Sequence, residues 1–278
     1  MTQTTLGSSP TGRVRAICYP KLVFDLDGTL YRGQETTPHA VEVVNGLRAS
    51  AELFFLSNNS SLPRWAMAER LRTLGFDASL DEALSSADLV ADYLSRRERH
   101  AAFFPVCSRS LEEALVALGH RSTPPDEARY VIVGVDLELT YAKLSGGLTA
   151  LRRGASFIAA NLDRVFPAER ELRPGAGAIV GAFQGMGFEP DVICGKPDAA
   201  AIERAFELRG LTKGEDLLMI GDQLETDILG AQRVGVDSVL VLTGASTEAD
   251  IESTGIRPTY VIENLSGLGA LLHVEPTR

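Results

Sequence analysis

Residues 21–30 read KLVFDLDGTL, and the rest of the chain is interpreted outward from this stretch. The mostly apolar run at its start is typical of a buried strand, and Asp25 and Asp27 stand at its end. Side chains alternate along an extended chain, so these two carboxylates have the same facing. The stretch therefore predicts a strand that ends in a pair of carboxylates pointing one way.

Apolar runs of this kind recur along the chain, and segments with helical spacing separate them. We predict strands at 21–25, 52–56, 129–135, 156–160, 191–194, 217–220 and 238–242, and helices at 39–49, 63–74, 111–118, 199–208 and 226–234. Alternating strands and helices predict an α/β fold with a parallel sheet covered on both faces. The polar stretches 95–100 and 187–190 are candidate boundaries of a middle α/β unit inserted into an outer one.

Composition narrows the classes of partner. The chain has 278 residues and a formal net charge of -10, which disfavours nucleic acid as a partner because a polyanion would be repelled. No apolar run approaches the length of a membrane-spanning helix, so we expect no membrane contact and a cytoplasmic location. The three cysteines are widely spaced, which predicts reduced thiols rather than disulfides or a zinc site.

Polar side chains follow four of the predicted strands. Asp25 and Asp27 end the first, 57–60 (SNNS) follow the second, 195–197 (GKP) follow the strand at 191–194, and 221–227 (GDQLETD) follow the strand at 217–220. In open α/β sheets, ligands bind outside the carboxyl ends of the strands. If these four strands are parallel neighbours in one sheet, their ends would together supply the groups that metal-assisted phosphoryl transfer needs.

The charges suggest the roles. Carboxylates this close to a phosphate dianion would repel it unless a cation intervened, and hard oxygen ligands favour Mg²⁺. We expect Asp25, Asp222 and the main-chain carbonyl of Asp27 to hold the metal. Asp25 can then attack phosphorus, while the Asp27 carboxyl protonates the leaving oxygen and later deprotonates water.

The remaining groups would stabilise charge on the transferring phosphoryl group. Ser57 and Asn58 offer hydrogen-bond donors, and Lys196 offers a positive charge. For Asp227 two roles stay open: it binds the metal through water, or it orients Lys196.

These four motifs together resemble those of the haloacid dehalogenase superfamily, specifically its p-nitrophenylphosphatase-like branch with a type IIA cap. The resemblance runs from about residue 21 to residue 244 and includes 133–136 (VGVD), 157–163 (FIAANLD) and 174–178 (PGAGA) in the middle unit. It implies a Rossmann-like three-layer core from 21–98 and 191–278, an inserted α/β cap domain at 99–190, and often a homodimer through the cap. Residues 1–20 are expected to be a flexible segment.

In that branch the cap determines substrate specificity, and residues 161–167 (NLDRVFP) correspond to a cap segment that contacts the substrate. Relatives specific for pyridoxal phosphate carry histidine where this chain has Phe166, which disfavours that substrate. Arg164 would suit a second anionic group, as in phosphoglycolate, whereas Asp136 and Asp163 would suit a hydroxylated ester such as glycerol 3-phosphate. The expected activity is Mg²⁺-dependent hydrolysis of small phosphorylated metabolites, with p-nitrophenyl phosphate as an artificial substrate.

Other functions share parts of this site. A nucleoside 5'-monophosphatase, or a phosphotransferase or phosphomutase that uses the same phospho-aspartate, stays open. A receiver-type signalling module is disfavoured because Asp27, a candidate acid/base, lies only two residues after the candidate nucleophile, which a long-lived phospho-switch would avoid. A dehalogenase is disfavoured because it needs neither Mg²⁺ nor a general acid.

Overall fold

The computed structural model describes residues 19–167, 172–212, 214 and 216–272. Its first sheet has six parallel strands in the order β15-β14-β13-β1-β4-β5. Those strands are β1 (Lys21–Phe24), β4 (Glu52–Ser57), β5 (Ala83–Ser85), β13 (Leu217–Gly221), β14 (Asp237–Val241) and β15 (Tyr260–Ile262). The buried runs predicted at 21–25, 52–56, 217–220 and 238–242 thus become neighbours, as parallel strands buried on both faces should.

A second parallel sheet has the order β12-β9-β8-β6-β7. Its strands are β6 (Ala102–Val106), β7 (Arg121–Ser122), β8 (Tyr130–Val133), β9 (Ser156–Ala159) and β12 (Val192–Ile193). The expectation that 191–194 is a strand of the first sheet is wrong. Val192 and Ile193 pair with Ile158 and Ala159, because the chain runs directly from the second sheet into the segment that carries Lys196. Two antiparallel pairs complete the strands of the described residues: β2 (Tyr31–Arg32) with β3 (Glu35–Thr36), and β10 (Val165–Pro167) with β11 (Leu172–Pro174).

Helices cover both faces of the first sheet, which gives three layers. In the described part of the chain the α-helices are α1 (Ala40–Leu47), α2 (Arg64–Thr73), α3 (Ser86–Arg97), α4 (Arg109–Ala117), α5 (Tyr141–Arg152), α6 (Ala176–Gln184), α7 (Ala199–Leu208), α8 (Leu229–Val234), α9 (Glu248–Thr254) and α10 (Leu268–Leu271). Leu22 and Phe24 of β1 pack with α1, α2 and α10, whereas Val23 packs with α3, α7 and α8. Because side chains alternate along β1, this one strand contributes residues to the hydrophobic cores on both faces of the sheet.

The helix predicted at 199–208 begins where the structure has it, whereas the helix predicted at 226–234 does not. Asp198 caps α7, where its side chain accepts the N–H of Ala201 at 3.0 Å. Glu225, expected to begin a helix at 226, instead lies inside a π-helix, Leu224–Ile228, that precedes α8. Of the candidate boundary stretch 95–100, the first three residues lie within α3 and the last three follow it.

The loops that follow strands of both sheets contact one another. Asn58, after β4, is bonded to Asn161 and Asp163, after β9. Ser60 accepts the N–H of Val135, after β8, at 3.1 Å. The carboxyl ends of the two sheets therefore meet at the loop 58–60.

At the two ends of the chain, part of the sequence lies outside the described residues: residues 1–18 of the predicted flexible segment, with Cys18, and the tail 273–278. Tyr19, placed in the flexible segment, is instead buried and donates a 2.6 Å hydrogen bond to Asp237. None of the helices in the described ranges has the length and apolar character that crossing a bilayer requires.

Candidate active site

Asp25 directly follows β1 and lies at the carboxyl edge of the first sheet. The N–H of Asp25 donates to the carbonyl of Ile220 at 2.8 Å, which continues the pairing with β13 one residue past the strand. Gly28 then turns the chain with φ of +91°, a conformation that favours glycine. A Cβ on Gly28 would overlap the carboxylate of Asp222, so the turn and the neighbouring strand end fit together only with glycine there.

Lys196 is the charged centre of the site. Its ammonium donates to Asp25 Oδ1 at 2.5 Å, to Asp227 Oδ1 at 2.7 Å and to the carbonyl of Leu56 at 2.9 Å. These three acceptors match the three N–H donors of a lysine. Burial alone would lower the pKa of Lys196, but Asp227 and Asp25 outweigh it and raise the pKa, so the side chain stays charged although only 2% of it is exposed.

The π-helix places Asp227 beside that lysine. Asp227 Oδ2 also accepts the N–H of Gln223 at 3.1 Å, so each oxygen of this carboxylate has a partner. Of the two roles left open by the sequence, the geometry favours orientation of Lys196. A Cβ on Gly221 would overlap the Asp227 side chain, which shows how closely the strand end and the π-helix approach.

Asp222 is held by residues that the sequence interpretation missed. Its Oδ1 accepts the hydroxyl of Thr29 at 3.2 Å, and its Oδ2 accepts the N–H of Ala245 at 2.6 Å. Ala245 follows β14, the fifth strand end at this edge, and a Cβ on Gly244 would overlap Asp222. The sequence does carry a signal for this contact, because 243–246 (TGAS) is a small polar turn directly after a predicted strand.

The carboxylates outnumber the cation. Asp25, Asp222 and Asp227 each place an oxygen within 4.8 Å of the others, and all three are buried. Burial raises the pKa of Asp25 well above its usual range, although the positive charge of Lys196 acts to lower it. Burial, helped by Asp227, raises the pKa of Asp222 to about 7. Buried negative charge in excess of one lysine, presented as hard oxygen donors, fits a divalent cation such as Mg²⁺.

Asp27 stands at the same edge and lines the cavity with Asp25. Burial raises its pKa, with Arg70 and Lys196 acting in the opposite direction. A raised pKa favours the protonated form of the Asp27 carboxyl, which is the form that a general acid needs.

Ser57 ends β4 and Asn58 follows it, and both residues line the same cavity. The hydroxyl of Ser57 accepts the N–H of Asn59 at 3.0 Å. The carboxamide of Asn58 is bonded to Lys196 and to Asp163. Both N–H donors of the Asn58 carboxamide are therefore bonded within the protein.

The cavity above these groups has a volume of about 100 Å³. Of the residues predicted for substrate choice, Asp163 and Phe166 line it. Burial raises the pKa of Asp163 to about 6, against the hydrogen bond that it accepts from Asn58 at 2.9 Å. Val135, Val165 and Gly175 add apolar walls.

The other two residues predicted for substrate choice do not line this cavity. Asp136 is buried in an ion pair with Lys143 at 2.6 Å, and its second oxygen accepts the N–H of Glu138. Arg164 is 83% exposed and lies 3.9 Å from Glu225 across a neighbouring groove. The structure thus brings neither side chain to the cavity.

Comparison with known proteins agrees with this arrangement. The model of the haloacid dehalogenase-like hydrolases matches residues 22–121, and an HAD-hydrolase-like model matches residues 193–268. An acid sugar phosphatase of Staphylococcus epidermidis is 36% identical over 250 residues, which cover 89% of this chain and 96% of the relative.

Solved structures give the same result. The p-nitrophenyl phosphatase from Archaeoglobus fulgidus is 34% identical, with a TM-score of 0.84 over 90% of this chain and 98% of that one. The glycerol phosphate phosphatase from Mycobacterium tuberculosis in complex with magnesium is 31% identical, with a TM-score of 0.81 over 91% of this chain and 77% of that one. The chain therefore belongs to the haloacid dehalogenase-like hydrolases, as a phosphoric monoester hydrolase with a Rossmann-like core and a cap, in the branch that resembles the p-nitrophenyl phosphatases.

Proposed function

We propose that this protein hydrolyses phosphate monoesters of small, uncharged polyols or sugars in the presence of Mg²⁺, through a phospho-aspartate on Asp25. The observation that carries the proposal is the buried contact of Lys196 with both Asp25 and Asp227 at the meeting edge of the two sheets. A fixed ammonium beside a strand-end carboxylate places positive charge where it would stabilise the negative charge of a transferring phosphoryl group.

The chemistry consists of two displacements. A carboxylate oxygen of Asp25 attacks phosphorus, the bond from phosphorus to the ester oxygen breaks, and Asp27 gives its proton to the leaving oxygen. Asp27 then takes a proton from water, whose oxygen attacks phosphorus, and the bond to Asp25 breaks to release phosphate. Asp27 can serve both steps because its raised pKa lies nearer to neutral than that of an ordinary carboxyl group.

Asp25, Asp222 and the main-chain carbonyl of Asp27 would hold Mg²⁺, with Asp227 left to Lys196. The metal would supply positive charge that lets a dianionic phosphate approach a carboxylate. The excess of buried carboxylates over Lys196 supports this proposal, and so does the magnesium complex named for the Mycobacterium tuberculosis relative.

The charges lining the cavity favour an uncharged leaving group. The described lining residues include Asp25, Asp27, Asp163, Asp222 and Asp227, and their single cationic side chain is Lys196. A second anionic group, such as the carboxylate of phosphoglycolate, would find no cation there and would meet Asp163. We therefore place glycerol 3-phosphate and sugar phosphates ahead of phosphoglycolate and nucleotides, with Asp163 as acceptor for a substrate hydroxyl and Phe166 and Val165 as walls.

The test is phosphate release from a panel of esters, each assayed with Mg²⁺ and with a chelator. The panel contains p-nitrophenyl phosphate, glycerol 3-phosphate, hexose phosphates, phosphoglycolate, pyridoxal phosphate and nucleoside 5'-monophosphates. We expect phosphate release to depend on Mg²⁺, with the highest kcat/KM for the phosphate ester of an uncharged polyol or sugar. A preference for phosphoglycolate would refute the assignment of substrate class, and release unaffected by the chelator would refute the metal. Phosphate transfer to added glycerol in preference to water would identify a phosphotransferase.

We further propose that 99–190, together with β12, act as the cap, and that the enzyme is cytoplasmic and binds no nucleic acid. The unpaired, buried thiols of Cys107 and Cys194 support a reducing compartment. A homodimer through the cap also stays a proposal. It is supported by Leu137, in the loop before α5, and Tyr141, the first residue of α5, which are 69% and 85% exposed. Light scattering on Tyr141→Lys beside the wild type would test it, because loss of a dimer is expected.

A further inference from the structure

The carboxamide of Asn58 is paired with the main chain of Lys196. Its Oδ1 accepts the Lys196 N–H at 2.8 Å, and its Nδ2 donates to the Lys196 carbonyl at 3.0 Å. The other hydrogen of Nδ2 goes to Asp163 Oδ1 at 2.9 Å. Both N–H donors of the carboxamide are therefore used, and none is left for a phosphate.

The main chain of Asn58 is held as well. Its carbonyl accepts Asn161 Nδ2 at 2.5 Å and the hydroxyl of Ser86 at 2.8 Å. Asn58, Asn161 and Lys196 are all buried, so these bonds form where water cannot replace them. A Cβ on Gly195 would lie 2.7 Å from Asn58 Oδ1, so the segment entering Lys196 passes directly against this carboxamide.

This contact bridges the two sheets. Lys196 follows β12 of the second sheet, yet its ammonium must reach Asp25 at the end of β1 in the first. Asn58 follows β4 of the first sheet and binds the Lys196 main chain directly. Asp163, in the cap loop after β9, binds the same carboxamide from the other side.

We propose that Asn58 is a positioning residue that fixes the Lys196 main chain against the first sheet and couples that lysine to the cap loop through Asp163. The inference rests on the proposed function, because the group positioned is the one that would bind phosphate. The sequence predicts that Asn58 offers hydrogen-bond donors to the phosphate, whereas here the donors of its carboxamide bind Lys196 and Asp163.

Inorganic phosphate is the probe, because it has no leaving group to contact the specificity residues. Its affinity is measured by calorimetry with Mg²⁺ present, and kcat and KM are measured with p-nitrophenyl phosphate. Asn58→Ala is expected to weaken phosphate binding and to lower kcat/KM about 100-fold, since small misplacements of a catalytic group have effects of that order. Asp163→Ala should weaken phosphate binding in the same direction, and Asp163→Asn, which keeps an oxygen acceptor for Asn58, should recover most of that loss.

The matched control is Asn45→Ala. Asn45 also binds main chain on both sides of its carboxamide: it donates to the carbonyl of Gly75 at 3.0 Å and accepts the N–H of Asp77 at 2.9 Å. It is half-buried on α1 and does not line the cavity of the site. It should lose thermal stability without losing phosphate affinity. Because Asn58 and Asp163 are in contact, the effects of their alanine variants should not add in the double variant.

Two results would overturn the inference in different ways. Unchanged phosphate affinity in Asn58→Ala and Asp163→Ala, with an active wild type, would refute the positioning role alone. Failure of the wild type to bind phosphate at all would refute the proposed function and this inference with it. Equal losses in Asp163→Ala and Asp163→Asn would refute the coupling through the carboxamide.

Discussion

At the scale of single residues, the site is a set of carboxylates arranged around one lysine. Lys196 neutralises part of the charge of Asp25 and Asp227, and Asp222 lies beyond its direct reach, bonded to Thr29 and Ala245. The remaining negative charge is what makes the site suitable for a divalent cation and a phosphate together.

Asp25→Asn should abolish turnover while leaving the fold intact. The substitution removes the nucleophile, and it also relieves a buried carboxylate whose pKa is raised by burial, so it should not lower the melting temperature in the absence of metal. Phosphate release and thermal unfolding would be measured side by side. Retained turnover would rule out the phospho-aspartate mechanism.

Asp27→Asn should have an effect that depends on the leaving group. A general acid contributes about 10²–10⁴-fold when the leaving oxygen needs a proton. The p-nitrophenolate ion leaves without one, so the first step with p-nitrophenyl phosphate should suffer less than with glycerol 3-phosphate. Pre-steady-state kinetics with both esters would measure this difference, and equal losses in the first step would argue against an acid role.

Gly244→Ala should weaken metal binding. The added methyl group would overlap the carboxylate of Asp222, which must then move. The Mg²⁺ concentration for half-maximal activity should rise, while the KM for substrate at saturating Mg²⁺ should change less. The control is Gly46→Ala within α1, where the new Cβ has open space and alanine should stabilise the helix by about 1 kcal/mol.

At the scale of elements, the π-helix Leu224–Ile228 is the feature that most directly serves the site. Wider turns of this kind are frequent at functional sites, and here the turn brings Asp227 to Lys196. It begins directly after Asp222 and Gln223, so a strand end and a helix start present two carboxylates to one place.

Deleting Glu225, which is exposed, should convert this turn toward regular α-helix. Removing one residue from a helix rotates its later residues by about 100° relative to its earlier ones, so Asp227 would leave Lys196. We expect loss of phosphate binding measured by calorimetry. Glu225→Ala keeps the turn length and serves as the control, and similar phosphate binding by the deletion and the substitution would contradict the role given to the π-helix.

Much of the fold and part of the site can be predicted from local pattern. Asp25, Ser57 and Asp222 stand at the ends of apolar runs, and each run becomes a strand of the first sheet. These runs are easy to predict because a parallel strand that is buried on both faces must be apolar along nearly its whole length. The pattern before Lys196 predicts a strand but not its sheet, because a pairing as short as Val192–Ile193 is decided by which partner lies nearby in space. The ion pair of Asp136 is hidden from the sequence for a similar reason, since its partner Lys143 is defined only once α5 folds back on it.

At the scale of the whole molecule, the buried carboxylates make stability depend on pH. The pKa of Asp222 is raised to about 7 and that of Asp163 to about 6, both by burial, whereas an unfolded Asp titrates near 3.9. The folded state therefore binds more protons than the unfolded state between about pH 4 and 7, and its stability falls as the pH rises through this window.

In the presence of a chelator, the melting temperature should therefore be higher at pH 5.5 than at pH 8. Adding Mg²⁺ should stabilise the protein more at pH 8, where Asp222 is ionised and able to bind it, than at pH 5.5. Calorimetry on wild type and Asp222→Asn would measure both effects. The variant should show a weaker dependence on pH in the chelator, and an unchanged dependence would exclude Asp222 as its source.

The short pairing of β12 with β9 limits how the protein can be recombined with its relatives. A chimera that exchanges residues 99–190 for a foreign cap would separate Val192 and Ile193 from the strand beside them, and the lysine three residues later would lose one of its two supports. If the chimera is instead joined after Lys196, the lysine comes from the foreign protein together with its cap. Asn58 must then bind the main chain of a foreign segment. The unit of exchange in this enzyme is thus the cap with its lysine and the asparagine that holds it, so caps and cores should be interchangeable only as matched pairs.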